Sequence, residues 1–183
     1  MAIGMRLKPA EAPLSPERSK FFGSPTMPIE WGDDFYDDTM FFCQINLEEL
    51  APFDNAGFFK KDGFLYVFFD TEGGEYSLLP IIRYSNCPTA IFDGFNSEVV
   101  GFEQYTNEVE IEFYETDDYA DGMRLLGYPT AWQYGEEAPR LLMQIDHLDA
   151  GLGFLDHLDG YTYLALGDDV DGFSDVTLIQ DYS

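Results

Sequence analysis

Two histidines lie in a repeated four-residue pattern whose side chains are metal-ligand types. The pattern Asp-His-Leu-Asp occurs at 146–149 and again at 156–159. Imidazole nitrogens and carboxylate oxygens bind Zn²⁺ and non-haem iron. The spacing between the histidines matches no standard metal motif, and solvated loop histidines are the other interpretation. We predict no resident metal or cofactor, and keep His147, His157, Asp146 and Asp156 as candidates for the alternative of a metal-binding module or metal-dependent enzyme.

Other patterns that suggest chemistry fail on inspection. In the acidic stretch 167–175, aligning Gly172 with the invariant glycine of a calcium loop puts Gly167 and Leu178 where carboxylates are required. The stretch at 151–156 has only two of the three glycines of a dinucleotide loop. A nucleophile triad would have to use one of the two histidines, with no nucleophile motif nearby. We therefore predict no catalytic residues.

The acidic surface is the strongest functional signal. Nine Lys and Arg against 35 Asp and Glu give a formal charge of −26. Such a field repels nucleic acid and anionic membranes and attracts basic proteins. A solvated face and adaptation to a saline habitat are the alternatives. The predicted partner-binding residues follow a strictly alternating strand and the turn after it: Glu108, Glu110, Glu112, Asp117 and Asp118.

The strands that must position these groups are organised around a stretch that occurs twice. Residues 40–47 form an apolar run containing Gln44-Ile45-Asn46, and residues 140–147 contain Gln144-Ile145-Asp146. A run with two apolar faces predicts a central strand covered on both sides. A buried amide must be paired, so Gln44 and Gln144 are predicted to hold backbone groups. Asn46 and Asp146 then cap the next turn.

Four elements recur in the same order, which predicts an internal duplication. The glutamines are offset by 144 − 44 = 100 residues, and Trp31 and Trp132 lie in matching segments as structural residues. The predicted repeats cover about 19–87 and 123–183, joined by an acidic middle segment, within a single domain at 19–183. Residues 1–18 are predicted to form an N-terminal arm, with a frayed tail expected over a docked one.

The expected fold class is α+β, mainly antiparallel β, built from β-rich repeats with a few short helices. The aromatic content of 17% argues against disorder. Cys43 lies within a predicted strand, which favours a free buried thiol. No stretch has the apolar length of a membrane span or a signal sequence, so we expect a soluble, cytoplasmic protein. Its oligomeric state is open.

Six motifs, three in each half, carry a family resemblance. They are Ser19-Lys20-Phe21-Phe22-Gly23-Ser24-Pro25 with Pro28 and Trp31, Phe42–Leu47 with Leu50, Gly63–Asp70, Leu126-Gly127-Tyr128-Pro129 with Gln133, Leu141–Asp146, and Gly160–Leu166. From about residue 19 to the C-terminus the chain resembles the YwqG-like family of bacterial proteins, a domain of unknown function. It departs from the family pattern at Phe22-Gly23 and in the acidic loop before Gly160.

The resemblance implies a duplicated, mostly antiparallel fold and no established activity. No catalytic residue is therefore carried over from it. Proteins similar to this family occur beside bacterial toxin genes, which implies an immunity-type role. Together with the charge, this predicts a non-enzymatic acidic binding protein that caps a basic toxin or another basic protein.

Overall fold

A computed structural model describes residues 1–35, 37–72, 78–132, 137–146, 160–169 and 172–182, and these residues are mainly antiparallel β. The described helices are short: α1 (Leu47–Leu50) and two 3₁₀ helices, Ile29–Asp33 and Phe95–Glu98. The strands are β1 (Ala2–Pro9), β2 (Lys20–Phe21), β3 (Thr26–Met27), β4 (Thr39–Asn46), β5 (Phe64–Asp70), β6 (Leu79–Ser85), β7 (Ala90–Ile91), β8 (Val109–Thr116), β9 (Arg124–Leu125), β10 (Leu141–Asp146), β11 (Gly160–Ala165) and β12 (Thr177–Tyr182).

The chain divides into two compact units, one of residues 8–111 and one of residues 1–7 with 112–183. Strands β1 and β8 contribute residues to both units. The strand order within the 8–111 unit is β8-β2-β4-β5-β6, and β3 pairs with β7 separately. The predicted central strand is confirmed, because β4 lies between β2 and β5 and is buried from Thr39 to Ile45.

The core of the 8–111 unit is aromatic. Phe41, Tyr66 and Phe68 are fully buried, and the partly buried rings of Trp31 and Phe35 pack against them. Alternation explains this arrangement, since every second residue of β4 and β5 points to the same face. Strand β6, which contains Pro80, lies at the end of this strand order, an edge position that tolerates proline.

Helix α1 begins where the sequence places its cap. The side chain of Asn46 accepts a hydrogen bond of 2.9 Å from the backbone N–H of Glu48. Leu47 and Leu50 are buried, while the acidic residues of the first turn complement the positive helix end. The cap therefore turns the chain out of β4 directly into the helix.

In the other unit the strand order is β12-β11-β10-β9-β1, followed by the end of β8. Leu141, Tyr163 and Ala165 form a buried cluster, with Tyr161 and Ile179 packed against it. Strand β10 is buried from Leu141 to Ile145 and lies between β9 and β11. The sequence motifs Leu141–Asp146 and Gly160–Leu166 thus form β10 and β11, whose bounds match them to within one residue.

The expectation of a frayed N-terminus is wrong. Residues 2–9 form β1, and Ala2, Ile3 and Met5 are buried. Ile3 pairs with Leu125 of β9, and the Gly4 backbone lies so close to the Tyr114 ring that a Cβ there would be 2.2 Å from it. The three prolines that suggested irregular structure begin only at Pro9, where the strand ends.

Candidate functional site

The acidic strand β8 has the predicted alternation, with Ile111 and Phe113 buried. Its glutamates, however, contact cations from the chain's own N-terminal segment. In the 8–111 unit, Arg18 bridges Glu110 and Glu49 at 2.6 and 2.9 Å. Lys20 and Glu110 are opposite each other in the β2–β8 pairing. The carboxylate of Glu110 is thereby partly withdrawn from solvent.

Glu108 lies in a nearly buried ion pair. The Lys20 Nζ is 2.5 Å from Glu108 Oε1, and the two side chains are 2% and 16% exposed. Glu108 Oε2 accepts a hydrogen bond of 2.7 Å from the backbone N–H of Leu14. Gly23 has a φ of +73°, and a Cβ there would lie 2.3 Å from the Glu108 side chain. These three neighbours fix the position of the Glu108 side chain, so its role is structural.

The Lys20–Glu108 pair lies beside a cleft of about 780 Å³. The proline-rich segment at 9–16 forms one wall, and Ile91, Asp93 and 106–109 contribute the other. Thr26 also lines this cleft, and its buried hydroxyl has no hydrogen-bond partner among the described residues. The buried cation and the unpaired hydroxyl therefore both lie at this cleft.

The remaining three predicted partner residues belong to the other unit. Glu112 is 3.4 Å from Arg6, and both side chains are exposed. Asp118 is 2.9 Å from the N-terminal ammonium of Met1. Asp117 is exposed. Because exposed pairs contribute little stability, about 0–1 kcal/mol each, these carboxylates remain accessible to a competing cation. Their role in binding a partner stays a prediction.

Gln44 holds backbone groups, as a buried amide must. Its Oε1 accepts from the backbone N–H of Thr26 at 2.9 Å. Its Nε2 donates to the carbonyls of Pro16 and Arg18 at 2.8 and 2.9 Å. One fully buried side chain thus ties two segments of the loop region to β4. This supports the structural role that was predicted for Gln44.

Gln144 makes the corresponding set of contacts in the other unit. Its Oε1 accepts from the Thr130 N–H at 3.1 Å, and its Nε2 donates to the Gly122 carbonyl at 2.9 Å. Arg124 is fully buried beside it and donates to Gln144 Oε1 at 2.9 Å and to the Leu126 carbonyl at 2.6 Å. Burial lowers the pKa of the Arg124 guanidinium. Sequence reasoning missed Arg124, although its place opposite Gln144 matches that of Lys20 opposite Gln44.

Trp31 lies in the 3₁₀ helix Ile29–Asp33 and Trp132 between β9 and β10, whereas Asn46 and Asp146 end β4 and β10. Trp31 is half-buried and meets the Tyr66 ring edge-on at 5.4 Å. Trp132 is also half-buried. The backbone N–H of Asp146 lies 3.1 Å from the Met123 sulfur, whereas the equivalent N–H of Asn46 donates to the Ser19 hydroxyl.

A second recess on the 8–111 unit was not predicted. This acidic groove has a volume of about 510 Å³ and is lined by Gly32, Phe35, Asp37, Thr39, Ile91, Phe92, Asp93, Gly94, Phe95, Ser97, Glu98 and Val99. Its three acidic residues, Asp37, Asp93 and Glu98, are not among the predicted partner-binding residues. The signal was the Phe-Asp-Gly-Phe run at 92–95, where two aromatic residues flank a turn that carries a carboxylate.

The metal candidates are only partly visible. Asp146 ends β10 and is half-buried, whereas His147, His157 and Asp156 lie outside the described residues. Within the described part of the chain, no three His, Cys, Asp or Glu side chains gather closely enough to hold a metal. The metal alternative therefore stays a prediction.

The calcium-like stretch uses its carboxylates on its own backbone. Asp175 accepts from the Asp168 N–H at 2.7 Å, and Asp169 accepts from Gly172 and from the Ser174 hydroxyl. These hydrogen bonds, that of Ser174 first, hold the pKa of Asp169 below its usual range. The carboxylates of Asp169 and Asp175 are therefore engaged by N–H and hydroxyl groups of the same stretch.

The chain matches no protein-family model and no curated protein. In the part of the chain that the structure describes, no helix has the length and apolar character needed to cross a membrane.

Proposed function

We propose that the protein is a non-enzymatic acidic binding protein whose partner is a basic protein. One observation carries the proposal: 35 Asp and Glu face nine Lys and Arg, and five of those nine cations are buried or already paired with carboxylates of the chain. Lys20 and Arg124 are buried, and Arg6, Arg18 and Arg83 are paired with carboxylates. The remaining surface therefore presents negative charge to an approaching molecule.

This charge distribution favours association with cationic surfaces. Complementary potentials accelerate encounter and suppress wrong partners, while like charges repel. The same field disfavours nucleic acid and anionic membranes as partners. A basic protein, with its own dense array of Lys and Arg, is the class of partner that fits.

The resemblance to the YwqG-like family supports a narrower form of the proposal. An immunity-type protein blocks a toxin, and toxins that act on nucleic acid are basic because their substrate is anionic. In this form the chain acts in the cytoplasm, where it caps a basic toxin. The acidic strand with Glu108, Glu110 and Glu112 contributes long-range attraction, although Glu108 is committed to Lys20.

We also propose that the two glutamine-centred halves arose by duplication and belong to one α+β domain. Support comes from the pairing positions: Lys20 faces Gln44 on neighbouring strands, as Arg124 faces Gln144. Phe22 and Leu126, which follow, both have φ near +60°. A non-glycine residue in that region is uncommon, so its recurrence at matching points favours common descent of the halves.

The test is affinity capture from an extract of the organism that encodes the chain, with the tagged protein as bait. Each captured protein with a pI above about 9 is then purified and titrated against the chain. Saturable one-to-one binding at about 0.15 M salt supports the proposal. Capture of no basic protein that binds saturably overturns it.

A further inference from the structure

We propose that the acidic groove, the recess between Asp37 and the Phe92–Val99 segment, is where a basic segment of the partner docks, with an apolar side chain at its centre. The inference rests on the proposed function and assigns it a location. The predicted partner residues on β8 are not part of this groove. The groove is lined by aromatic rings, by three carboxylates and by an exposed aliphatic side chain.

The aromatic residues of the groove are held rigidly from behind. Phe35, Phe92 and Phe95 are partly buried and pack against the core cluster that contains Phe41 and Phe68. The Phe35 ring centroid is 4.3 Å from that of Phe68 and 5.8 Å from that of Phe95. A surface whose rings are already ordered loses little conformational entropy when a ligand covers it.

The charge of the groove selects a cationic ligand. Its lining includes the carboxylates of Asp37, Asp93 and Glu98, and no Lys or Arg among the residues that the structure describes there. Two acidic chains of formal charge −26 repel each other, so a second copy is a poor occupant. A Lys- or Arg-rich segment meets all three carboxylates favourably.

The chain's own Arg83 shows that this aromatic surface accepts a guanidinium. Arg83 pairs with Asp34 at 2.6 Å, and its Cζ lies 4.8 Å from the Phe35 ring centroid and 5.1 Å from that of Trp31. Carboxylate pairing combined with stacking on an aromatic face is the geometry that arginine favours. A partner's arginine entering the groove would find the same combination at Phe92 or Phe95 and the adjoining acids.

An exposed aliphatic side chain also lines the groove. Ile91, which lines it, is 52% exposed, and Ile29 is 68% exposed. Both belong to the region of the small β3–β7 pairing, where the Ile29 N–H donates to the Thr89 hydroxyl. Apolar and aromatic side chains beside charged ones are a usual composition of an interface. The ligand is therefore basic with an apolar anchor, rather than basic alone.

The test uses two peptides and two matched variants. The probes are fluorescein-labelled peptides of about 12 residues, one alternating Arg and Leu and one alternating Arg and Ser. The groove variant is Asp37→Asn/Asp93→Asn/Glu98→Gln. The control, Glu48→Gln/Asp62→Asn/Glu72→Gln, removes the same charge from exposed positions outside the groove. Thermal melts verify that both variants fold, and fluorescence anisotropy gives Kd at about 0.15 M salt.

The groove variant is expected to raise Kd for the Arg-Leu peptide by about tenfold or more, and the control variant by less than about twofold. The single substitution Ile91→Ser should reduce the protein's preference for the Arg-Leu peptide over the Arg-Ser peptide. Equal losses of affinity in both triple variants would rule out the groove as the docking site. They would remain consistent with an acidic binding protein. Absence of saturable binding to either peptide would also rule out the groove as the docking site. So would a dimer, seen in analytical ultracentrifugation, that the Ile91→Arg substitution dissociates, because a second copy of the chain would then occupy the groove. The proposed function is judged separately, by capture of a basic protein.

Discussion

The ammonium of Lys20 lies 2.5 Å from the carboxylate of Glu108, and the lysine side chain is almost completely buried. The strand pattern predicted that Glu108 faces solvent. Instead, the neighbouring strand β2 places the Lys20 ammonium against this carboxylate. A glutamate that was expected to attract a partner is thus engaged within the 8–111 unit.

Because this pair is buried, replacing one partner should lower the free energy of unfolding more than replacing both. Lys20→Met should destabilise the protein by about 2–4 kcal/mol, because it leaves the Glu108 carboxylate largely buried without a cation. The double variant Lys20→Met/Glu108→Leu should recover part of that loss, because it removes both charges. Urea unfolding followed by circular dichroism measures both. Strictly additive effects would contradict the burial of the pair.

Gln44 and Gln144 are expected to be essential to the fold of their units. Gln44→Leu should cost about 2–4 kcal/mol, because the Thr26 N–H and two carbonyls lose their partner. Gln144→Leu should lower the free energy of unfolding by a similar amount, and it also removes a hydrogen-bond acceptor of Arg124. The control is Gln104→Leu, an exposed residue with one long hydrogen bond to Gly101, which should change the unfolding free energy by less than about 0.5 kcal/mol. Unfolding curves for Gln44→Leu that overlay those of the native protein would refute this role.

The two cysteines should differ sharply in reactivity. Cys43 is buried in β4, and burial raises the pKa of its thiol, whereas Cys87 is exposed. Because the thiolate is the reactive form, a disulfide reagent at pH 8 should modify one thiol in the native protein and two in denaturant. Cys87→Ser should abolish the native reaction. Rapid native modification of that variant would show that Cys43 is accessible.

Alkali should destabilise the 8–111 unit through Tyr66. Burial raises the pKa of its phenol, whose O–H donates to the Thr26 carbonyl at 2.6 Å. A raised folded-state pKa means that the neutral phenol is favoured in the native state. The stabilisation is therefore complete below the unfolded pKa of about 10 and is lost as pH rises above it.

Tyr66→Phe should reduce this loss of stability at alkaline pH. Urea unfolding between about pH 9 and 12 measures it. Part of the pH dependence should persist, because burial also raises the pKa of Tyr84 and Tyr161. Tyr119→Phe, at an exposed position, is the control and should leave the profile unchanged. A Tyr66→Phe profile identical to that of the native protein would rule out a contribution from this phenol.

The local elements could be read from sequence because their signals are local. Alternation in 40–46 and 109–113, the Asn46 cap and the edge-strand proline each depend on neighbouring residues. The covered acidic strand could not be read, because the pairing of Lys20 with Glu108 joins residues 88 positions apart. The groove was missed for the same reason: Asp37 and Glu98 line one recess although they are far apart in the sequence.

The dissociation constant of the complex with the captured basic partner, measured as a function of salt, tests the central claim most directly. If charge complementarity drives binding, Kd should rise by about tenfold or more between about 0.05 and 0.5 M salt. The groove variant should show a shallower dependence than the control variant. A Kd that does not change with salt would contradict an acidic protein that binds its partner through charge.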